Sequence, residues 1–278
     1  MLEKIRYINH IMEEMEWGES GIFVNYNDLR DFSWNYYSEN NKISSFYKGI
    51  VKKTVPIIIY CQDEKEGIAK KNRLFEVCEK DVVAAKHGKL IIGDYYLKCY
   101  VTGSKKSNYL RNKGYLETSL TITTDYASWI KETKTVFRSL GLEEEAGNAG
   151  QNLDFPYDYP FDYASEMNDK RLNNTGFIDS AFQIVIYGSC LNPAINISGH
   201  TYQVNVEVSD NEYLTIDSMS KKITLTQYDG KQVNCFQYRN RDSYIFEKIP
   251  PGDNIVTWNG AFGFDVVLLE ERSEPKWM

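Results

Sequence analysis

The run Gly88-Lys89-Leu90-Ile91-Ile92-Gly93-Asp94-Tyr95-Tyr96-Leu97-Lys98-Cys99-Tyr100-Val101 reads as two strands joined by a two-residue turn. Leu90 to Ile92 supply the first arm, and Gly93-Asp94 suits a type II′ turn. In the second arm Tyr95, Leu97, Cys99 and Val101 share one face, with Lys98 and Tyr100 on the other. Alternation at period two is the mark of a half-buried strand. Leu116 to Thr124 repeats it, with Leu116, Leu120 and Ile122 on one face and Glu117, Ser119, Thr121 and Thr123 on the other. The polar, basic stretch between, Gly103–Gly114 with Lys105, Lys106, Arg111 and Lys113, is expected as a long hairpin tip. Val55–Cys61 has the length and apolarity of a buried strand, and Ile22–Val24 and Phe32–Tyr37 are short strand candidates.

One segment departs from this period. Ile68, Leu74/Phe75, Val77/Cys78 and Val82 recur at helical spacing, with Lys70, Lys71, Arg73, Glu76 and Glu79 between them, predicting an amphipathic helix over 68–82. The last hundred residues return to strands. Phe182/Ile184/Ile186, Tyr202/Val204/Val206/Val208, Leu214/Ile216, Ile223/Leu225, Val256/Trp258 and Phe262/Phe264/Val266/Leu268 all alternate. Turn signals at Asn192-Pro193, Ser209-Asp210, Asp229-Gly230, Pro251-Gly252 and Asn259-Gly260 separate them. Many short strands at such spacing predict a β-sandwich.

The middle is different. Residues 139 to 169 contain no Lys or Arg, and Asp154-Phe155-Pro156-Tyr157-Asp158-Tyr159-Pro160-Phe161-Asp162-Tyr163 keeps no period, with Pro156 and Pro160 breaking any ladder. We read three segments: a β-rich domain with one helix over 1–140, an extended acidic and aromatic connection over 141–171, and a β-sandwich over 172–278. The charge splits the same way. Residues 1–140 carry 22 Lys and Arg against 18 Asp and Glu, and residues 141–278 carry 10 against 21. An acidic second half argues against a nucleic-acid grip there.

Chemistry is sparse. Five cysteines without a CxxC pair, and His10, His87 and His200 scattered along the chain, argue against a disulfide framework and a zinc site, and favour buried reduced thiols. Residues 1–17 lack the apolar core of a signal peptide, and no apolar run is long enough to span a bilayer. Gly188-Ser189-Cys190 and Ser198-Gly199-His200 do not fit a nucleophile elbow. Asp154, Asp158 and Asp162 recur every fourth residue, but the prolines prevent a helix that would gather them. Asp154, Asp158 and Glu247 are the first suspects for a wall-degrading activity, a reading weaker than solvated carboxylates. No catalytic residue, metal ligand or cofactor site is assigned. Trp258 is a candidate sugar-stacking platform, or a core residue by its alternation with Val256.

A resemblance enters on an ordered set of features. Tyr244-Ile245-Phe246-Glu247-Lys248-Ile249-Pro250-Pro251-Gly252-Asp253-Asn254, then Val256-Thr257-Trp258-Asn259-Gly260 and Phe264-Asp265, closes in Glu271-Arg272-Ser273-Glu274-Pro275-Lys276-Trp277. With the 88–100 hairpin, Ile186-Tyr187-Gly188, Asn192-Pro193 and the 155–163 aromatic run, this order resembles the distal tail protein family of long-tailed phages that infect Gram-positive bacteria. The resemblance implies a first domain that closes into a sixfold ring and a galectin-like sandwich beside it. It implies a structural role at the distal end of a virion tail, for a protein made in the host cytoplasm. The partners implied are other copies, the tail tube protein, fibre or spike proteins and receptor-binding proteins, with DNA passing through the ring without specific binding. Arg272, Pro275 and Trp277, with Tyr157, Tyr159, Phe161 and Tyr163, are the candidate docking residues. A saccharide-binding sandwich that attaches the particle to the host wall is the second reading.

Overall fold

The computed structural model describes residues 4–18, 21–108, 114–139 and 170–277. The chain forms two compact units, Met1–Lys131 with Arg272–Met278 and Glu132–Glu271. The division falls inside a strand, so a shift in composition near 140 does not mark it, and the last seven residues belong to the first unit. Of the 141–171 connection, all but the last two residues lie outside the described residues.

The first unit contains β1 (Ile5–Ile8), β2 (Glu14–Trp17), β3 (Ile22–Val24), β4 (Asn35–Glu39), β5 (Lys42–Tyr47), β6 (Val51–Tyr60), α1 (Glu64–Ala84), β7 (Gly88–Ile92), β8 (Tyr95–Asn108), β9 (Tyr115–Thr124) and the start of β10 (Trp129–Phe137). Strand β8 organises it. Its first half pairs with β7, and β7 with β1 and β1 with β2; its second half pairs with β9, and β9 with β6 and β6 with β3, all antiparallel. The β7–β8 turn is Gly93-Asp94 with only Gly93 at positive φ, +57°, as a type II′ turn requires. The alternating faces of these strands meet in one core that includes Trp17, Ile57, Leu90, Leu97, Ile122 and Trp129. Strand β8 runs on to Asn108, so Lys105 and Lys106 lie on a strand and not on a hairpin tip. The prediction failed there because polar residues on an exposed edge still pair through their backbones.

Helix α1 is longer than 68–82 because Asp63 caps it, accepting from Lys65 N at 2.7 Å, with Glu64 and Glu66 in the first turn favouring the helix N-terminus. Its buried face is Leu74, Val77, Cys78 and Asp81; Ile68, Phe75 and Val82 face outward. The phase was misjudged because Asp81, a charged residue, is the inward anchor. Fully buried, it accepts from Tyr7 Oη at 2.5 Å and from His10 N at 2.8 Å, and His10 Nδ1 lies 2.6 Å from its Oδ1. These bonds tie the β1–β2 turn to the end of the helix. Gly88 leaves room for them: a Cβ there would lie 2.4 Å from Asp81 Oδ2 and 2.6 Å from Tyr7 Oη. Gly88→Ala is therefore expected to lower stability by about 1–3 kcal/mol through overpacking. Denaturant titration checks this, and an unchanged midpoint would contradict it.

The second unit holds the rest of β10, then β11 (Arg171–Asn174), β12 (Ala181–Tyr187), β13 (Cys190–Leu191), β14 (Ala194–Ile197), β15 (His200–Gln203), β16 (Glu207–Val208), β17 (Tyr213–Asp217), β18 (Lys222–Thr226), β19 (Gln232–Asn234), β20 (Gly252–Trp258) and β21 (Phe264–Arg272). One sheet runs β19-β18-β17-β12-β21-β10 and the other β11-β20-β14-β15. Their inward residues, among them Phe182, Ile184, Ile195, Tyr202, Ile216 and Phe264, form the second core. The alternation predicted across 202–208 holds in burial, with Tyr202, Val204 and Val208 in the core and Val206 packed against it, although β15 itself ends at Gln203 and Val204 forms an isolated bridge to Arg239. The five cysteines are free, and all but Cys190 are buried. Burial, then the Asp81 charge, pushes the Cys78 thiol up to about 12.

Candidate assembly surfaces

The β4–β5 hairpin carries apolar residues where water would disfavour them. Asn40 and Asn41, at φ +50° and +59°, form its two-residue turn, since Asn tolerates the left-handed region that a type I′ turn needs at both positions. A bulge follows at Ser44, whose hydroxyl donates to the Tyr37 carbonyl at 3.2 Å. Among the described residues β4 and β5 pair only with each other, and every residue of both strands is exposed. Tyr36 is 58% exposed, Tyr37 60% and Phe46 60%, and Phe32, Trp34, Ile43, Tyr47 and Ile50 extend the apolar surface. Tyr37 and Tyr47 stack at 4.6 Å, and Lys48 Nζ sits 4.5 Å above the Trp34 ring. Six rings of roughly 200 Å² each, about half exposed, with the two isoleucines, offer on the order of 800 Å² of apolar surface, about one partner's share of a standard protein interface.

The outer face of α1 adds a second surface. Ile68, Phe75 and Val82 recur every seven residues, Val83 lies beside them, and Phe75 is 62% exposed. A seven-residue repeat lines up along a helix as one stripe.

The chain's end lies on the first unit. Arg30 donates from Nη1 to the Pro275 carbonyl at 2.6 Å, and its guanidinium carbon sits 4.0 Å from the Trp277 ring centre. Pro275 is buried, whereas Trp277 remains 74% exposed. Arg272 donates from Nε to the Glu274 carbonyl at 3.3 Å. The segment carrying Arg30 is itself anchored by buried Lys53, which donates to the carbonyls of Asp28 and Asp31. Removing residues 272–278 should cost about 2 kcal/mol, from the lost guanidinium hydrogen bond and cation–π contact. The expected sign is a melting temperature lower by several degrees; an unchanged one would contradict the docking.

No family model matches the sequence, and no curated protein does. Solved structures do. A chain of the phage P2 baseplate in its activated conformation with calcium is similar at TM-score 0.63 and 13% identity, over 99% of this chain and 100% of that one. The strontium form gives 0.62 and 12% identity over the same shares. The crystal structure of SPP1 Dit (gp 19.1), a paradigm of hub adsorption apparatus in Gram-positive-infecting phages, gives 0.59 and 9% identity over 96% of this chain and 99% of that one. The chain has the fold of these phage proteins, the SPP1 hub protein and the P2 baseplate chains.

The hub fold takes in both units, and it places the candidates from sequence as follows. Trp258 packs edge-on against Phe137 and Phe264 at 5.9 and 5.2 Å and donates from Nε1 to the Phe262 carbonyl at 3.0 Å. Tyr157, Tyr159, Phe161 and Tyr163, with Asp154, Asp158 and Asp162, lie outside the described residues. Ser198 donates to Asn254 Oδ1 at 2.8 Å and His200 Nε2 lies 2.9 Å from the Tyr244 carbonyl, so the two do not pair. The exposed hairpin is the surface that the sequence reading missed; its one local signal was Asn40-Asn41 between aromatic runs.

Proposed function

We propose that this chain is a distal tail hub protein: a structural, non-enzymatic component of a phage or prophage virion that closes into a sixfold ring at the distal end of the tail. The observation that carries this reading is the hub fold across 96–99% of the chain, both units included. The two-faced apolar hairpin supports self-assembly, because an isolated two-stranded ribbon is marginal in water and needs a surface to lie on. A heterologous, head-to-tail contact that repeats around an axis closes a ring. In this reading the ring joins the tail tube to the tail tip and receptor-binding proteins, and DNA passes through it without specific contacts.

The test is assembly on a tail tube. Purified chain mixed with polymerised tail tube protein should cap one end of each tube with a ring in negative-stain images. Tubes with bare ends, or decoration along their sides, would overturn the reading.

A further inference from the structure

The second half of the chain is acidic, with 10 Lys and Arg against 21 Asp and Glu over 141–278, yet one part of the second unit displays cations on aromatic rings. Arg239 sits with its guanidinium carbon 4.0 Å from the Phe236 ring centre. Phe236 stacks on Phe246 at 6.1 Å with a 15° interplanar angle, and Tyr244 meets Phe246 edge-on at 6.0 Å. Lys221 Nζ lies 5.3 Å from both the Tyr244 and Phe246 ring centres. These five side chains therefore share one platform, Lys221 at one end and Arg239 at the other.

Three properties mark it as a site. Neither cation has a carboxylate partner among the described residues: Arg239 donates only to the Phe236 carbonyl at 2.9 Å, and Lys221 meets only rings. Both could therefore receive an anion. Lys221 stands at φ +57° in the β17–β18 turn, a left-handed conformation disfavoured for a lysine, and it is there that its ammonium reaches the rings. Asn240, next to Arg239, bonds through Nδ2 to Gln203 Oε1 at 3.1 Å, so two amides border the cationic end. Tyr244 and Phe236 remain exposed beside them. Asp242 and Glu247, both exposed, are the acidic residues near the rings in sequence; Asp217 holds the Lys221 turn by accepting from Met219 N, Ser220 N and Ser220 Oγ, and His200 is held on the Tyr244 carbonyl.

We propose that this platform binds an anionic saccharide, one that carries carboxylate or phosphate groups. The apolar C–H face of a sugar ring would lie against the exposed Tyr244 and Phe236 rings. Its hydroxyls would meet Asn240 and Gln203, and its charged groups would meet Arg239 and Lys221, with charge-assisted bonds to the guanidinium the strongest of these. Charge complementarity favours an anionic occupant, because Arg239 and Lys221 stand here with Arg241 and Lys222 beside them in sequence. The aromatic rings and amides select a sugar over a bare acidic peptide. The surface is open and not a cleft, so a single copy binds weakly, and many copies on one particle gain by avidity. The inference needs only this surface and stands whether or not the chain closes into a ring.

The test uses the full chain on biosensor surfaces coated with oligogalacturonate, phosphorylated mannan, neutral maltooligosaccharide or polyglutamate. Retention on oligogalacturonate or on phosphorylated mannan is expected, whichever group the site prefers, and should be at least tenfold greater than on the other two. Tyr244→Ala and Arg239→Glu should each abolish it without moving the melting temperature, while Arg239→Lys should keep part of it. No retention on either anionic glycan would overturn the proposal. So would equal retention on polyglutamate, which would mark an acidic-protein surface, or retention untouched by these substitutions.

Discussion

Tyr36→Glu combined with Phe46→Glu is expected to leave the purified chain as single copies of 32.3 kDa, by breaking the proposed assembly through the β4–β5 ribbon. Both residues lie on the β4–β5 ribbon and are exposed, so neither contributes to the first unit's core. The folded single chain should tolerate both carboxylates, and its melting temperature should hold. In an assembly the same side chains would be covered, and each buried charge would lose its hydration without a partner. Central aromatic residues of interfaces cost 2 kcal/mol or more on truncation. Two such losses weaken association by about a thousandfold or more. Size-exclusion chromatography with light scattering reads the outcome. Assembly that survives both substitutions would place the contact elsewhere on the chain, with the outer stripe of α1, Ile68, Phe75 and Val82, next in line.

The second large effect is on folding. Asp81→Ala leaves the buried Tyr7 hydroxyl without its 2.5 Å acceptor and releases His10 N and Nδ1. Breaking a buried, hydrogen-bonded charged site by removing one member costs about 3–5 kcal/mol. The first unit should then melt roughly ten degrees lower. The same site sets a limit at high pH. Burial, then the neighbouring Cys99 and the hydrogen bond to Asp81, hold the Tyr7 hydroxyl well above the ordinary tyrosine range. The folded chain therefore keeps this proton where the unfolded chain loses it, near pH 10. The stabilisation is complete below that pH and is lost as pH rises above it. Denaturant unfolding at pH 8 and pH 10.5 should show a decline that Tyr7→Phe reduces. An equal decline in wild type and Tyr7→Phe would assign it to other tyrosines.

Much of this architecture was legible where one physical signal dominated. The β7–β8 hairpin was read correctly because period-two alternation and the Gly93-Asp94 turn agree, and the sandwich strands of the second unit were found for the same reason. Legibility failed where tertiary context decides. Helix α1 has two apolar stripes, and nothing local says that the one with Asp81 turns inward; only the distant Tyr7 and His10 do. Strands β4 and β5 are exposed on both faces, so no alternation distinguishes them, and the reading over 32–37 caught half of one arm and none of the other. Trp258 shows the converse limit. Alternation with Val256 left it either a core residue or a platform, and the structure sets its ring against Phe137 and Phe264. The platform of Lys221, Phe236, Arg239 and Tyr244 was not visible, because a turn, a 3-10 segment and a loop bring together residues that share no sequence period.

Self-assembly of the proposed hub is read most directly from the chain's mass in solution by multi-angle light scattering, alone and with tail tube protein. One discrete species near six times 32.3 kDa is expected, lost in the Tyr36→Glu, Phe46→Glu variant. A single-chain mass under both conditions would contradict it.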